Sequence, residues 1–193
     1  MTLSIGVIAE DNSDVDVIRI ILSKYIAQNK YTLRKFTGSG CGKLKSKCTS
    51  WIKNLFLSGC NFVVVIHDLD RNKETELRST ISAKIPKNYT KKSVLIIPVE
   101  ELESWLLTDT QAIKEVFNLK KKPKEPNNPQ AVKSPKEHIQ KTVWNASRKA
   151  YINTIHNSKI VDRISIEKLK KCSSYAELDV FVRTILIPAV ENP

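Results

Sequence analysis

Val63-Val64-Val65-Ile66-His67-Asp68-Leu69-Asp70 decides the fold of this chain. The run Asn61-Phe62-Val63-Val64-Val65-Ile66 is short, rich in β-branched side chains and lacks polar alternation, which predicts a strand buried on both faces. Such strands belong to parallel sheets covered by helices. This one ends in two carboxylates. In extended chain Asp68 and Asp70 point the same way and His67 the opposite way, as a packing or supporting residue.

Working outward, residues 3–9 (Leu-Ser-Ile-Gly-Val-Ile-Ala) predict a first strand, ending at Glu10. Asn12 or Ser13 would cap the helix that follows, which runs to about Gln28 with Val15, Ile18, Ile21, Leu22, Tyr25 and Ile26 on one face. Residues 31–36 predict strand two, and a Gly-Ser-Gly-Cys-Gly loop spans 38–42. A helix over 44–57, with Trp51, Leu55 and Phe56 inward, stops at Gly59. A polar helix over 73–85 stops at Pro86, residues 93–97 form strand four, and a short helix starts near Glu101. Four strands alternating with helices give an α/β fold with a parallel sheet of about four strands, right-handed crossovers, and function gathered at the strands' carboxyl ends.

Past Asp109 the pattern changes. Residues 120–136 hold four of the eight prolines and six lysines, predicting an irregular connection. Residues 114–171 hold fifteen Lys and Arg against five Asp and Glu. Helices are expected again near Pro135 and over 175–187. The predicted division is an α/β domain over 1–110 and a basic helical appendage over 111–193 packed on it.

Glu10, Asp68, Asp70 and the Glu100/Glu101/Glu103 group all fall at carboxyl ends of predicted strands. Carboxylates brought that close repel unless a cation lies between them, so a Mg²⁺ (or Mn²⁺) site for phosphoryl chemistry is the simplest functional reading. Asp14 and Glu103 are further candidate ligands, and Glu10 is a candidate general base. The plain alternative stays open at each point: Asp11 and Asp14 as helix-capping acids, Asp68 and Asp70 as a strand-to-helix cap, and Glu101 and Glu103 as ordinary acids at a helix start.

Gly38 to Lys45 lacks the spacing of a phosphate loop, and Leu44 stands where the hydroxyl should be. Lys43, Lys45 and Lys47 are instead candidates to offset charge at a phosphate, Lys43 foremost as a catalytic group. The chain of 193 residues has 32 Lys and Arg against 20 Asp and Glu, a net charge of +12 that calls for a polyanionic partner. With Lys120, Lys121, Lys122 and Lys124, these lysines are candidate contacts to DNA or RNA. The four cysteines form no Cys-x-x-Cys pair, which argues against zinc and for reduced thiols. No run approaches the ~18 apolar residues of a membrane helix, and no basic-then-apolar leader precedes Leu3. A cytoplasmic location is the expectation.

Two resemblances attach to these residues. The run from Val7 to Leu22 resembles the opening of a response-regulator receiver domain, which implies a phosphoacceptor role for Asp68. Strand four, however, ends in Pro98-Val99-Glu100 where receivers carry Ser or Thr, and no fifth strand ending in lysine follows. The second resemblance covers nearly the whole chain, to small stand-alone bacterial TOPRIM proteins. It lies in Glu10 with Asp14 four residues on, in the Asp68-x-Asp70 pair, and in the loop from Gly38 to Lys43. It extends to Glu101-x-Glu103-x-Trp105-Leu-Leu-x-Asp109, to Ser134-Pro-Lys-Glu137 and to a closing helix from Ser173 to Phe181. Asp11 replaces the family's usual glycine after the first glutamate. This resemblance implies a metal-dependent nuclease, an ATPase partner protein and a part in defence against phage. A third reading keeps the fold as a non-catalytic nucleic-acid-binding or regulatory subunit.

Overall fold

The computed structural model describes residues 2–38 and 41–191. Strands β1 (Leu3–Ala9), β2 (Tyr31–Thr37), β3 (Phe62–Ile66) and β4 (Ser93–Ile96) make one sheet in the order β2-β1-β3-β4, with every neighbouring pair parallel. Ile8 lies opposite Val65, and Ile66 opposite Ile96. The chain leaves β1 towards one edge of the sheet and returns to the other side of β1 as β3. The β1/β3 boundary is therefore the topological switch point, where the connections diverge and a crevice opens at the carboxyl ends.

Side-chain alternation divides the core. Ile5, Val7, Ala9, Val64, Ile66 and Ile96 face one layer, and Ile8, Val63, Val65 and Leu95 face the other. The second layer is α2 (Cys41–Leu57), through Leu44, Cys48, Ile52 and Leu55, and α3 (Glu74–Ser82), through Leu77 and Ile81. Gly6 admits α2 to close range: a Cβ there would lie 2.7 Å from Leu55 Cδ1.

The first layer is α1 (Asn12–Ser23) together with the chain beyond β4: α4 (Glu103–Leu106), α5 (Thr110–Phe117), α6 (Pro135–Ser147), α7 (Asn153–Arg163), α8 (Ile166–Leu169), α9 (Ala176–Phe181) and α10 (Ile187–Glu191). Its buried residues, from Leu3, Ile5 and Val7 to Phe181, Val182 and Leu186, form one cluster, so residues from both 1–110 and 111–193 share one apolar interior. Trp105 is fully buried at its centre, edge-on to Tyr175, with its indole N–H donated to Ser174 Oγ at 2.9 Å.

Several local expectations shift. The N-cap of α1 is Asp11 rather than Asn12 or Ser13, because Asp11 and Asp14 close a reciprocal capping box. The helix stops at Ser23, not Gln28; the Tyr25 hydroxyl is instead bound by Tyr175 and Asp179. Helix α2 starts at Cys41, so part of the expected glycine-rich loop is helical, while Ser39 and Gly40 lie outside the described residues. Helices α5 and α7 occupy sequence that predicted no regular element. Cys48, Cys60 and Cys172 are free and buried, as small apolar groups. No helix among the described residues is long and apolar enough to cross a membrane.

Candidate functional site

At the switch point β3 keeps pairing past its last strand residue. The backbone N–H groups of His67, Leu69 and Asp70 bond the carbonyls of Ile96, Pro98 and Glu100 at 3.0–3.1 Å. This zipper carries the His-Asp-Leu-Asp segment alongside the chain leading to α4. It ends in left-handed backbone at Asp70 (φ 47°), Arg71 (φ 60°) and Glu100 (φ 59°). Each such non-glycine residue costs roughly 1–2 kcal/mol, so the surrounding hydrogen bonds hold a strained turn in place. Asp70 is therefore not in extended chain, and the sequence argument for its side fails in detail, although it reaches the same cavity as Asp68.

That cavity has a volume of about 170 Å³ and is lined by Glu10, Asp11, Asp14, Asp68, Asp70, Glu101 and Glu103, with Lys136 and Asn153 completing it. Seven of the chain's 20 acidic residues thus meet in one recess of a protein whose net charge is +12. They arrive from the ends of β1 and β3, the first turn of α1 and the start of α4. Glu100, grouped with Glu101 and Glu103 in the sequence argument, does not line it, whereas Glu101 and Glu103 do.

Most of these carboxylates are anchored through one oxygen. Glu10 Oε1 accepts from the Asp68 backbone N–H at 3.2 Å and lies 3.0 Å from His67 Nδ1. Asp68 Oδ1 accepts from the Leu102 N–H at 2.9 Å. Asp14 Oδ2 accepts from the Asp11 N–H at 3.1 Å. Glu103 is buried, and its Oε1 lies 3.2 Å from the Tyr151 hydroxyl and 3.1 Å from Asn157 Nδ2. The second oxygens of Glu10, Asp14, Asp68 and Glu103 have no hydrogen bond among the described residues. Asp11 differs: both its oxygens are engaged, one by the α1 N-terminus and one by Asn153 Nδ2.

His67 is fully buried, and its Nδ1 also lies 2.6 Å from the Asp68 carbonyl. A nitrogen facing two acceptors carries a hydrogen, so Nδ1–H orients the Glu10 carboxylate. His67 does not line the cavity with Asp68 and Asp70, and its contacts describe a supporting role.

Mutual repulsion and desolvation act on the acids together. Burial, reinforced by Asp11, Glu103 and Glu10, pushes the Asp14 carboxyl well above the ordinary carboxylate range. Burial, then the charges of Asp14, Glu103, Glu10 and Asp70, does the same to Asp68. Asp70 rises through burial and the Glu10 charge, tempered by His67 and Lys45. Glu101 rises through burial, opposed by the Lys136 N–H that its Oε2 accepts at 2.8 Å. Burial and the Glu103 charge raise the Tyr151 phenol, keeping it a neutral donor.

Of the lysines singled out by sequence, Lys45 is the one whose charge is felt at Asp70. Lys43 and Lys47 are exposed on α2 and do not line the cavity. Lys120, Lys121, Lys122 and Lys124 are exposed on the irregular segment away from it, Lys122 paired with Glu125 at 3.2 Å. The cation at the cavity is Lys136, and with Tyr151, Asn153 and Asn157 it was missed as a site residue. Lys136 was visible in Ser134-Pro-Lys-Glu137, and Asn153 and Asn157 are spaced i, i+4 on a helix the sequence argument did not draw.

Among the described residues no group of three or more His, Cys, Asp or Glu side chains is arranged to hold a metal ion. What the recess offers is a set of hard oxygen donors on fixed anchors. No curated protein and no solved structure matches the chain. Residues 9–185 match the family described as a domain of unknown function, DUF4276, and the chain belongs to that family.

Proposed function

We propose that this protein is a divalent-metal-dependent nuclease of the TOPRIM type, acting on phosphodiester bonds of DNA or RNA. The observation that carries the proposal is the convergence of Glu10, Asp14, Asp68, Asp70 and Glu103 in one recess at the β1/β3 switch point. Carboxylates raised by burial and by one another have a surplus of negative charge that a hard cation would neutralise. The donors are of the kind Mg²⁺ or Mn²⁺ takes, all oxygen, and four of them keep one oxygen outside the hydrogen-bond network, while no three of them are grouped to hold an ion in this structure.

Glu10, Asp68 and Asp70 are the proposed primary ligands, and Asp14 and Glu103 the supporting ones. Bound there, a metal would supply Lewis acidity at the phosphate and would lower the pKa of an attacking water. Glu10, oriented by His67, is placed to take a proton. Lys45 and Lys136 are better placed than Lys43 to balance charge on the phosphate. The basic surface would hold the backbone without reading bases. An ATPase partner and a role in phage defence belong to the same proposal and rest on the TOPRIM resemblance alone.

The test is cleavage of labelled single- and double-stranded DNA and RNA with Mg²⁺, with Mn²⁺ and with a chelator. The proposal requires cleavage that depends on the cation and is lost in Asp68→Asn, with the far-ultraviolet circular dichroism unchanged. Cleavage indifferent to Asp68→Asn or to chelation sinks it. So does a stable acyl phosphate at Asp68 after treatment with a small phosphodonor, the outcome a receiver-like domain would give.

A further inference from the structure

On the outer side of α6, away from the buried Ile139 and Val143, lies a second groove of about 580 Å³. It is lined by Glu137, Gln140, Lys141, Trp144, Lys149 and Ala150. Trp144 is 49% exposed, in contrast to the fully buried Trp105. Single exposed apolar side chains are ordinary, and Leu57 and Val180 are more exposed still, but two neighbouring features set Trp144 apart. The Arg148 guanidinium stands over the Trp144 ring at 5.9 Å from its centroid. Arg148 ends α6 in left-handed backbone (φ 58°), where glycine or asparagine is the ordinary choice. The chain thus keeps a strained arginine at the position that sets a cation against an exposed indole.

The charges complete the pattern. Lys141 lines the groove, and Lys149 is fixed beside it, donating its Nζ to the Phe117 carbonyl at 2.7 Å. Glu137 is the single acid of the lining, at the end nearest Lys136. Cations around one exposed aromatic face suit a ligand that is planar, aromatic and polyanionic along its backbone. An unpaired nucleotide strand has those properties, and a duplex hides its base faces.

We propose that Trp144 is a stacking platform for single-stranded nucleic acid, with Lys141, Arg148 and Lys149 holding the adjacent phosphates. The inference rests on the nucleic-acid reading above only for its ligand class. It also gives that reading a track: Lys136 at the acidic recess and Trp144 are on the same helix, roughly 12 Å apart along its axis.

The test is fluorescence anisotropy of a labelled single-stranded oligonucleotide and of its duplex, with the full chain in excess chelator so that no cleavage intervenes. Trp144→Ala should weaken single-strand binding about 5- to 150-fold, the range found for loss of one stacked base. Trp144→Phe should keep most of the affinity, and neither variant should change duplex binding. Arg148→Ala should weaken the single strand as well. Equal single-strand affinity of the wild-type protein and Trp144→Ala overturns the proposal and leaves the groove to a protein partner. Equal loss on duplex and single strand overturns it too, as does a chain that binds neither. Binding that depends on Trp144 without any cation-dependent cleavage refutes the nuclease reading alone. Cleavage with unaltered affinity in Trp144→Ala refutes the platform alone.

Discussion

Glu10 Oε1 and His67 Nδ1 lie 3.0 Å apart, joining the end of β1 to the end of β3 at the sheet's switch point. The strand register dictates the meeting. Ile8 is paired with Val65, so two residues further on Glu10 comes opposite His67. Buried imidazoles that orient a carboxylate ligand have a measurable effect on metal affinity. His67→Ala is expected to weaken Mn²⁺ binding by about 10- to 100-fold in calorimetric titration. His67→Asn, whose amide N–H can stand in for Nδ1–H, should recover part of the loss. Unchanged affinity in His67→Ala would remove the histidine from the site.

The buried acids also set a pH dependence for the metal-free protein. Burial, and after it the neighbouring carboxylates, hold the Asp14 and Asp68 carboxyls well above the ordinary aspartate value of 3.8. Between the unfolded and folded values the native state binds more protons than the unfolded chain, so stability falls as pH rises through that window. The penalty is fully present above the folded pKa and relieved as pH drops towards 3.8. Two consequences can be read by thermal unfolding. Metal-free protein should melt higher when mildly acidified from neutral pH. Asp68→Asn, which can still accept from the Leu102 N–H, should melt higher than wild type at neutral pH, by roughly 2–4 °C for each kcal/mol relieved. The difference should shrink on acidification. A neutral-pH melting point for Asp68→Asn at or below wild type would mean that the recess carries no electrostatic strain.

The sheet was legible because its strands are short apolar runs, and Val63 to Ile66 could hardly be anything else. The convergence of Glu10, Asp68 and Asp70 followed from where those runs end. The particular oxygens did not: Asp70 reaches the cavity through a left-handed turn that no alternation rule foresees. Nor did Asn153, Tyr151 and Asn157, which hold Asp11 and Glu103 from the far half of the chain. Helix α7 buries Asn157, Ile160 and Val161 in a largely polar sequence, so its apolar periodicity is too thin to announce it. Lys43 drew attention by its glycine-rich neighbourhood, while Lys136 lay in a proline-rich stretch that reads as a linker.

Gly6 makes a separate demand, one of space. A Cβ at this position would come 2.7 Å from Leu55 Cδ1 and 3.1 Å from Cδ2. Both are ends of a flexible side chain, so Leu55 can move, but only within a filled layer that includes Ile52 and Val65. Gly6→Ala is expected to cost about 1–3 kcal/mol by overpacking. Because Leu55→Ala removes the obstructing methyls, the double variant should be less destabilised than the sum of the two single changes. Chemical denaturation of the four proteins measures the coupling. Strict additivity would show that α2 is not held against β1 at this point.

Arg148 separates stability from binding. Its left-handed backbone ends α6, and its N–H donates to the Trp144 carbonyl at 2.8 Å, a bond that any residue at this position can make. Glycine adopts that conformation without the side-chain clash, which is worth roughly 1–2 kcal/mol. Part of the gain is returned through the greater freedom of glycine in the unfolded chain, and the exposed cation–π contact with Trp144 contributes only about 0.5–1 kcal/mol. Arg148→Gly should therefore be neutral to modestly stabilising in thermal unfolding, while losing single-strand affinity in the anisotropy assay. Arg148→Asn should behave the same way, since asparagine also tolerates the left-handed region. A clear drop in melting temperature for both variants would mean that the arginine is kept for folding, and the case for retaining strain at this helix end for the sake of a ligand would fall.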